Sequence, residues 1–432
     1  MPVCRALSLP LVVLVAVAPG AVHAMEGVPQ PGKGAELVLL VAPDLAMEPE
    51  VRSVTSVCRL VFAYDFALAK LTHFDESRPS SKALAVGGRL AKFLLVDWAL
   101  VDLAVQAQHE FFGHGWRARE QRLEVSSRFG VPFPYLYLAG PEAGAASRIG
   151  ARFGAQLVLA EAGGVEANYL AAWQINRDAA RRAGQLTLGQ LDLYLWEKLY
   201  YSAAYFGNPN WRANDLIAYR ASLLSLWGGR TGASPESIFE HLELAHLWNY
   251  ADPTLWSLVY HLLVSHLWHG EREMALPVLR WNGFWGWPAS RFNLSPFGAE
   301  HYLDLFAGHG EEWVDLYLRV GSSGLARYWG GGLHAKGVRF AGRLVLGAEV
   351  DLWDQPAWRG EFGPGAPNNA GINFALDAAV EIGLGLGLTG KLAYKTPGYL
   401  MGQPMAEGVY GYLGVIAPAP ESWPWPEHAG VP

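Results

Sequence analysis

Residues 337–353 read "GVRFAGRLVLGAEVDLW", and the period of this stretch decides what the C-terminal part of the chain is. Val338, Phe340, Leu344, Leu346, Ala348, Val350 and Leu352 share one face of an extended backbone, and Arg339, Arg343, Glu349 and Asp351 share the other. Successive side chains of a strand point to opposite sides, so this alternation predicts β structure. "NFALDAAVEIGLGLGL" (373–388) repeats it, with Phe374, Leu376, Val380, Ile382, Leu384 and Leu386 against Asn373, Asp377 and Glu381. "GKLAYKTPGY" (390–399) and "GVYGYLGVIAP" (408–418) add two more strands, giving an antiparallel β region over 331–417. The first run exceeds the five or six residues usual for a globular strand. Length, abundant glycine and flanking Trp and Tyr are features of a membrane barrel wall, but four strands do not close a barrel, which takes about eight. Two placements stay open: an amphipathic sheet packed on a helical part, or a section of membrane barrel. They differ in which face is outward. On a barrel wall Phe340, Leu344, Leu346, Phe374 and Val380 meet lipid; on a packed sheet they are buried under helices.

Upstream the period is helical from about 51 to 275, and the helical domain is assigned to 51–330. Ser234-Pro235-Glu236 reads as a helix start, and Asp252 with Pro253 as an N-cap followed by a first-turn proline. The segment 25–50 is extended and holds one strand, "AELVLLVAP" (35–43), and the Pro-rich tail 418–432 is expected to be disordered. The expected fold class is therefore α+β, a mainly helical domain followed by an antiparallel β region.

Residues 1–24 read as a signal peptide: Arg5, an apolar core "LSLPLVVLVAVAPG" (7–20) and the small-x-small end of "AVHA" (21–24). Only Cys58 follows it, so no intrachain disulfide forms, which suits a bacterial periplasm. Without Arg5, the 33 basic residues become 32 against 40 acidic ones, with no basic block, so nucleic acid is excluded as a partner. The chain is 51% hydrophobic and only 17% charged, with 18 Trp. Soluble domains are typically about 25% charged. The shortfall implies a very large core or contact with a membrane. The expected place is the periplasm or outer membrane of a Gram-negative-type bacterium, with Trp329, Trp353 and Trp358 near strand ends as interfacial aromatics.

The chemistry is concentrated in "LAVQAQHEFFGHGWRARE" (103–120). His109, Glu110 and His114 approximate the zinc-protease pattern H-E-x-x-H, but the second histidine comes one residue late. Residues five apart on a regular α-helix are about 140° apart around the axis, so His109 and His114 share a metal only if the extra residue is absorbed. A π-bulge absorbs one residue, and Gly113 supplies the backbone freedom for it. Gly115 is expected to end the helix.

"HEFFGH" resembles the H-E-x-x-G-H variant of the zinc-peptidase signature found in the dipeptidyl peptidase III family. The resemblance spans about residues 103–170 and is to gluzincin-type metallopeptidases. It implies Zn²⁺ held by His109 and His114, Glu110 as the base that activates water, a peptide or protein substrate, and a third, glutamate ligand roughly fifty residues on. "LAEAGGVEANYLAAW" (159–173) lies at that distance and offers Glu161 and Glu166. The chain lacks the family's paired-glutamate motif, so exopeptidase specificity is not carried over. Glu166 is preferred because Gly163 and Gly164 precede it, and mid-helix glycines cost about 1 kcal/mol each unless two backbones must meet closely. The partner expected is the stretch around Gly113 and Gly115.

Other residues are read more plainly. His241, His246, His261, His266 and His269 are expected on amphipathic helices, with a second metal site as the alternative. Tyr169 and Tyr260 are candidates for stabilising an oxyanion. Asp97 and Asp102 interrupt the apolar "FLLVDWALVDLAVQ" (93–106) and are either partners of a metal-bound histidine or polar contacts of a core helix. The function expected is an exported zinc-dependent hydrolase; the alternative is a non-catalytic structural protein of the outer membrane.

Overall fold

The computed structural model describes residues 36–42, 46–61, 79–132, 134–139, 144–150, 154–207, 215–231, 234–271, 273–322, 327–340, 343–358, 364–383 and 386–418. The predicted signal peptide and most of the Pro-rich tail lie outside them.

Strand β1 (Glu36–Val41) leads into helix α1 (Met47–Val61). Next comes α2, one rod from Pro79 to Glu120. It is α-helical over Pro79–Lys92, π-helical over Phe93–Asp97, α-helical over Trp98–Gln106, π-helical over Ala107–His114 and α-helical again over Gly115–Glu120. The short strands β2 (Glu124–Arg128) and β3 (Ala146–Gly150) pair with each other. Helix α3 (Gly154–Arg181) is buried along nearly its whole length. Strand β4 (Gln185–Thr187) and helices α4 (Leu188–Gly207), α5 (Asp215–Thr231) and α6 (Pro235–Asn249) follow. Helix α7 (Pro253–Tyr260) runs on as a π-helix over His261–Trp268. Asp252 caps α7 by accepting from the Thr254 N–H, with Pro253 in its first turn, as the sequence indicates.

The helices end earlier than the 51–330 boundary predicts. Strands β5 (Glu273–Ala275), β6 (Leu279–Trp281), β7 (Phe284–Ser295), β8 (Gly298–His309) and β9 (Glu312–Ser322) already lie within it. In β7 few positions alternate, since Ala289 to Ser295 are all buried, whereas the period-two pattern of β8 and β9 is present in the sequence, within the stretch assigned to the helical domain. Strands β10 (Arg327–Phe340), β11 (Leu344–Trp358), β12 (Pro364–Gly383), β13 (Leu386–Lys395) and β14 (Gly408–Pro418) complete the set. The opening stretch 337–353 is thus a hairpin, not one long strand. "NFALDAAVEIGLGLGL" likewise divides between β12 and β13, so Leu386 does not continue the first strand; Leu384 lies outside the described residues.

Ten strands form one antiparallel sheet in the order β1-β14-β13-β12-β11-β10-β9-β8-β7-β6, which does not close on itself. The sheet is inverted relative to a soluble one. Registered rows of apolar side chains, such as Leu305–Leu316–Leu333–Val350–Phe374, run across its outward face. Leu333 is 51% exposed and Phe374 45%. The inward face carries Glu300, Asp304, Asp315, Arg319, His334 and Glu349, all buried. Helices α1 and α3 meet that inner face: Arg177 of α3 pairs with Glu349 at 2.8 Å, and Glu48 of α1 with Lys391 at 2.8 Å. The sheet does pack on the helices, but through its opposite face: Phe340, Leu346, Phe374 and Val380, expected under helices on a packed sheet, are exposed, and Leu344 is half-buried. The helices pack on the charged side, where ion pairs satisfy the groups that burial would otherwise penalise.

At one end of the sheet helix α1 covers β1; at the other the edge is the short, exposed β6, and helical side chains reach the part of β7 that β6 leaves unpaired. On β1, the N–H groups of Val38 and Leu40 donate to Ser56 Oγ (2.6 Å) and Ser53 Oγ (2.8 Å) of α1. On β7, the Ser295 carbonyl accepts from Tyr219 of α5 at 2.6 Å, and the Ser290 N–H donates to Asp252 at 3.4 Å. An edge strand carries a row of such unpaired groups.

Candidate metal centre

The late histidine is realigned by the backbone. Over Ala107–His114 the rod is a π-helix, whose i→i+5 hydrogen bonds set residues five apart over one another. The Nε2 atoms of His109 and His114 come within 3.1 Å, with the rings edge to face. Gly115 does not end the helix, which continues to Glu120.

A third group arrives from 101 positions further on. Asp215, the first residue of α5, places Oδ2 2.8 Å from His109 Nε2 and 3.4 Å from His114 Nε2. Among the described residues, His109, His114 and Asp215 form the group whose ligand atoms converge closely enough to hold a metal ion. The Asp215 side chain is 28% exposed, so the cluster opens to solvent on that side.

Each imidazole is fixed from behind. His109 Nδ1 lies 3.0 Å from Asn168 Oδ1, and His114 Nδ1 lies 2.6 Å from the Ala160 carbonyl. A carbonyl oxygen only accepts, so both Nδ1 atoms donate and the neutral rings present their Nε2 lone pairs to the same point. Two nitrogen lone pairs and a carboxylate facing one another require a cation between them. A proton is one such cation. Burial lowers the basicity of His114, but the charge and hydrogen bond of Asp215, with Glu110 and the Ala160 carbonyl, outweigh it and raise the ring to about 10. Burial likewise disfavours the Asp215 carboxylate, yet the two imidazoles hold it well below its usual range. A divalent metal ion is the other cation that fits.

Glu110 is buried, and its Oε2 has no hydrogen-bond partner among the described residues. Its backbone carbonyl is held by Ser127 Oγ (3.1 Å) and Ser147 Oγ (3.2 Å) of the β2–β3 ladder. The carboxylate lies close enough to favour the charged form of His114.

Glu166, the preferred third ligand, is not brought to the histidines. Its carboxylate is forked by Arg117 at 2.7 and 2.5 Å and accepts from the Gly402 N–H at 2.7 Å. Glu161 is the nearer glutamate. Burial raises its carboxyl to about 7, against the pull of His114 and His109. The close approach expected of Gly163 and Gly164 is present: a Cβ on Gly163 would stand 2.6 Å from the Gly113 carbonyl, and one on Gly164 2.5 Å from Nε2 of both histidines. Residues 164 and 166 are about 200° apart on a helix, so the glycine facing the metal centre excludes Glu166 from it. Glu161, Gly164 and Asn168, at i, i+3 and i+7, share the facing side, and that spacing was the available signal for Glu161 and Asn168. Asp215 offered none, since an acidic residue in a first helical turn reads as a cap.

The remaining candidates sit elsewhere. Asp97 pairs with Lys92 at 2.5 Å and Asp102 accepts from Gln106 at 2.9 Å, so neither orients a histidine of the centre. Tyr169 packs on Phe292, and Tyr260 is exposed on α7. His246 is buried beside Ser202 at 3.0 Å, and His261 and His266 bond to Ser265 and the Glu271 carbonyl.

No family model, characterised protein or solved structure matches this chain. One test addresses the packing directly. Gly164→Ala is expected to push the imidazoles apart, to cost about 1–3 kcal/mol as overpacking does, and to lower the affinity for metal. Unchanged denaturation midpoint and metal content in Gly164→Ala would rule out this contact.

Proposed function

We propose that this protein is a zinc-dependent hydrolase acting on peptide bonds, and that His109, His114 and Asp215 hold the ion. The convergence of two Nε2 lone pairs and a carboxylate, each imidazole anchored through Nδ1, carries this reading. Two imidazoles and a carboxylate make a donor set suited to zinc, which in catalytic sites takes three protein ligands and keeps a position open. Zinc so held lowers the pKa of water towards about 7. Glu110, with an unpartnered buried oxygen next in sequence to a ligand, accepts the proton and later delivers it to the leaving amine. Glu161 stands by as a fourth ligand, the second to offer oxygen. The geometry of the centre supports the hydrolase reading; the peptide substrate rests on the resemblance of "HEFFGH" alone.

A purely structural role is favoured by one observation: a proton on His114 also satisfies the three groups. Metal analysis separates the two readings. The proposal expects about one equivalent of zinc, as a three-ligand site binds, removed by chelation and missing in His109→Ala, His114→Ala and Asp215→Ala. Glu166→Gln should still bind zinc at the centre. A purified chain with no metal, whose variants behave alike, makes the cluster a structural ion pair.

A further inference from the structure

Among the described residues the outward face of the ten-stranded sheet has no partner, while the inward face already has one. A soluble sheet that has merely lost a partner would present its apolar side to its own helices. Here α1 and α3 pack on the ionic side, so the apolar side is built to face something outside the chain. We propose that this face is inserted in a lipid bilayer, with the acyl chains as its occupant.

Three observations support a bilayer over a protein partner. The first is composition along the registered strands. Outward positions over 303–307, 314–320, 329–335, 344–352, 370–382, 386–394 and 409–417 hold no Asp, Glu, Lys or Arg. Charged residues on that face stand at strand ends, as Glu312 and Arg327 do. The second is dimension. On β12 the belt from Ile372 to Ile382 spans ten residue steps. At about 3.3 Å per residue and a tilt of roughly 40°, that is about 25 Å, the height of a membrane barrel's apolar band. Two exposed aromatics, Trp329 and Phe340, lie towards opposite ends of β10.

The third observation is the treatment of the edges. Lipid offers no hydrogen bonds, so an open edge strand is normally intolerable there and barrels avoid it by closure. This sheet is open, with β1 at one end and the short β6 at the other; Ser53 and Ser56 of α1 serve β1, and beyond β6 Tyr219 and Asp252 serve the rest of β7. Helix side chains do at the seam what a closing strand pair does in a barrel. No helix among the described residues is long and apolar enough to cross a membrane. The inference is independent of the metal centre and stands or falls separately.

The test uses the full chain and vesicles of phosphatidylcholine with phosphatidylglycerol. Diluted from urea into such vesicles, the chain should float with them in a density gradient and resist extraction at alkaline pH. Leu376, at mid-belt and 53% exposed, gives the variant. On a solvated surface Leu376→Arg is tolerated; at a bilayer midplane it should lower the floated fraction by about 30-fold or more. Leu376→Phe should float like the native chain. A detergent-free soluble monomer that stays below the vesicles overturns the proposal. So does a detergent-free dimer that Leu376→Arg dissociates, since a second copy would then be the occupant.

Discussion

Glu110→Gln is expected to retain a full complement of zinc and to lose hydrolysis by about 10²–10⁴-fold, the usual contribution of a general base. The amide keeps the shape of the side chain and cannot accept the proton. The ligands His109, His114 and Asp215 are untouched, so metal content and denaturation midpoint should stay near those of the native chain. The loss should fall on kcat, with KM little changed, because Glu110 is placed to act on the proton and not to bind substrate. Cleavage of a quenched fluorogenic peptide pool, with metal analysis of the same sample, checks both halves. A Glu110→Gln variant that turns over normally would assign the base elsewhere, with Glu161 next in line. Loss of metal with activity would make Glu110 a ligand.

The largest effect on stability is expected from Arg117→Ala, about 3–5 kcal/mol, as follows when one partner of a buried ion pair is removed. Arg117 is fully buried, forks the Glu166 carboxylate, bonds Glu120 at 2.8 Å and donates to the Gln403 carbonyl at 3.0 Å. Burial pushes Glu166 towards its neutral form, and Arg117 and the Gly402 N–H oppose that push. Truncating the arginine leaves the carboxylate in the interior with the Gly402 N–H as its remaining donor. Arg117→Met combined with Glu166→Leu should recover most of the loss, because two apolar groups of similar volume leave no uncompensated charge. Denaturation of the single and double variants decides it. A single variant within about 1 kcal/mol of the native chain would mean that water reaches Glu166.

The alternation in β10–β14 made the C-terminal sheet legible, because the period-two signal depends only on one face being apolar. Which side that face took was not legible, since alternation reads the same from either side of a sheet. What fixed it was the ion pairing of Arg177 and Glu48 with the opposite face, and those partners come from helices hundreds of residues away. The π-helical correction at His114 was legible because the spacing error and its remedy, Gly113, were adjacent. The third group was not. Asp215 reaches the histidines only after α2, α3 and α5 have packed, and no periodicity within one helix encodes that meeting. Glu166 misled for a related reason. The glycine pair was read correctly as a sign of close approach, but the angle between Gly164 and Glu166 was not applied.

The pairing of β1 with β14 joins Glu36 to Pro418. Closing so long a loop adds little to the equilibrium cost, which grows only with the logarithm of loop length, but it sets the order of events. Contacts this distant in sequence slow folding, and no part of this pairing exists until residue 413, the partner of Val41, has been synthesised. Strand β1 has a local partner in the meantime, since Ser53 and Ser56 lie only 13 and 18 residues away. The first hairpin-like unit of the chain would thus wait, already docked on its helix, as the template for the last strand. A chain stopped before β14 would leave β13 and β1 with bare edges, the form of intermediate most prone to aggregate.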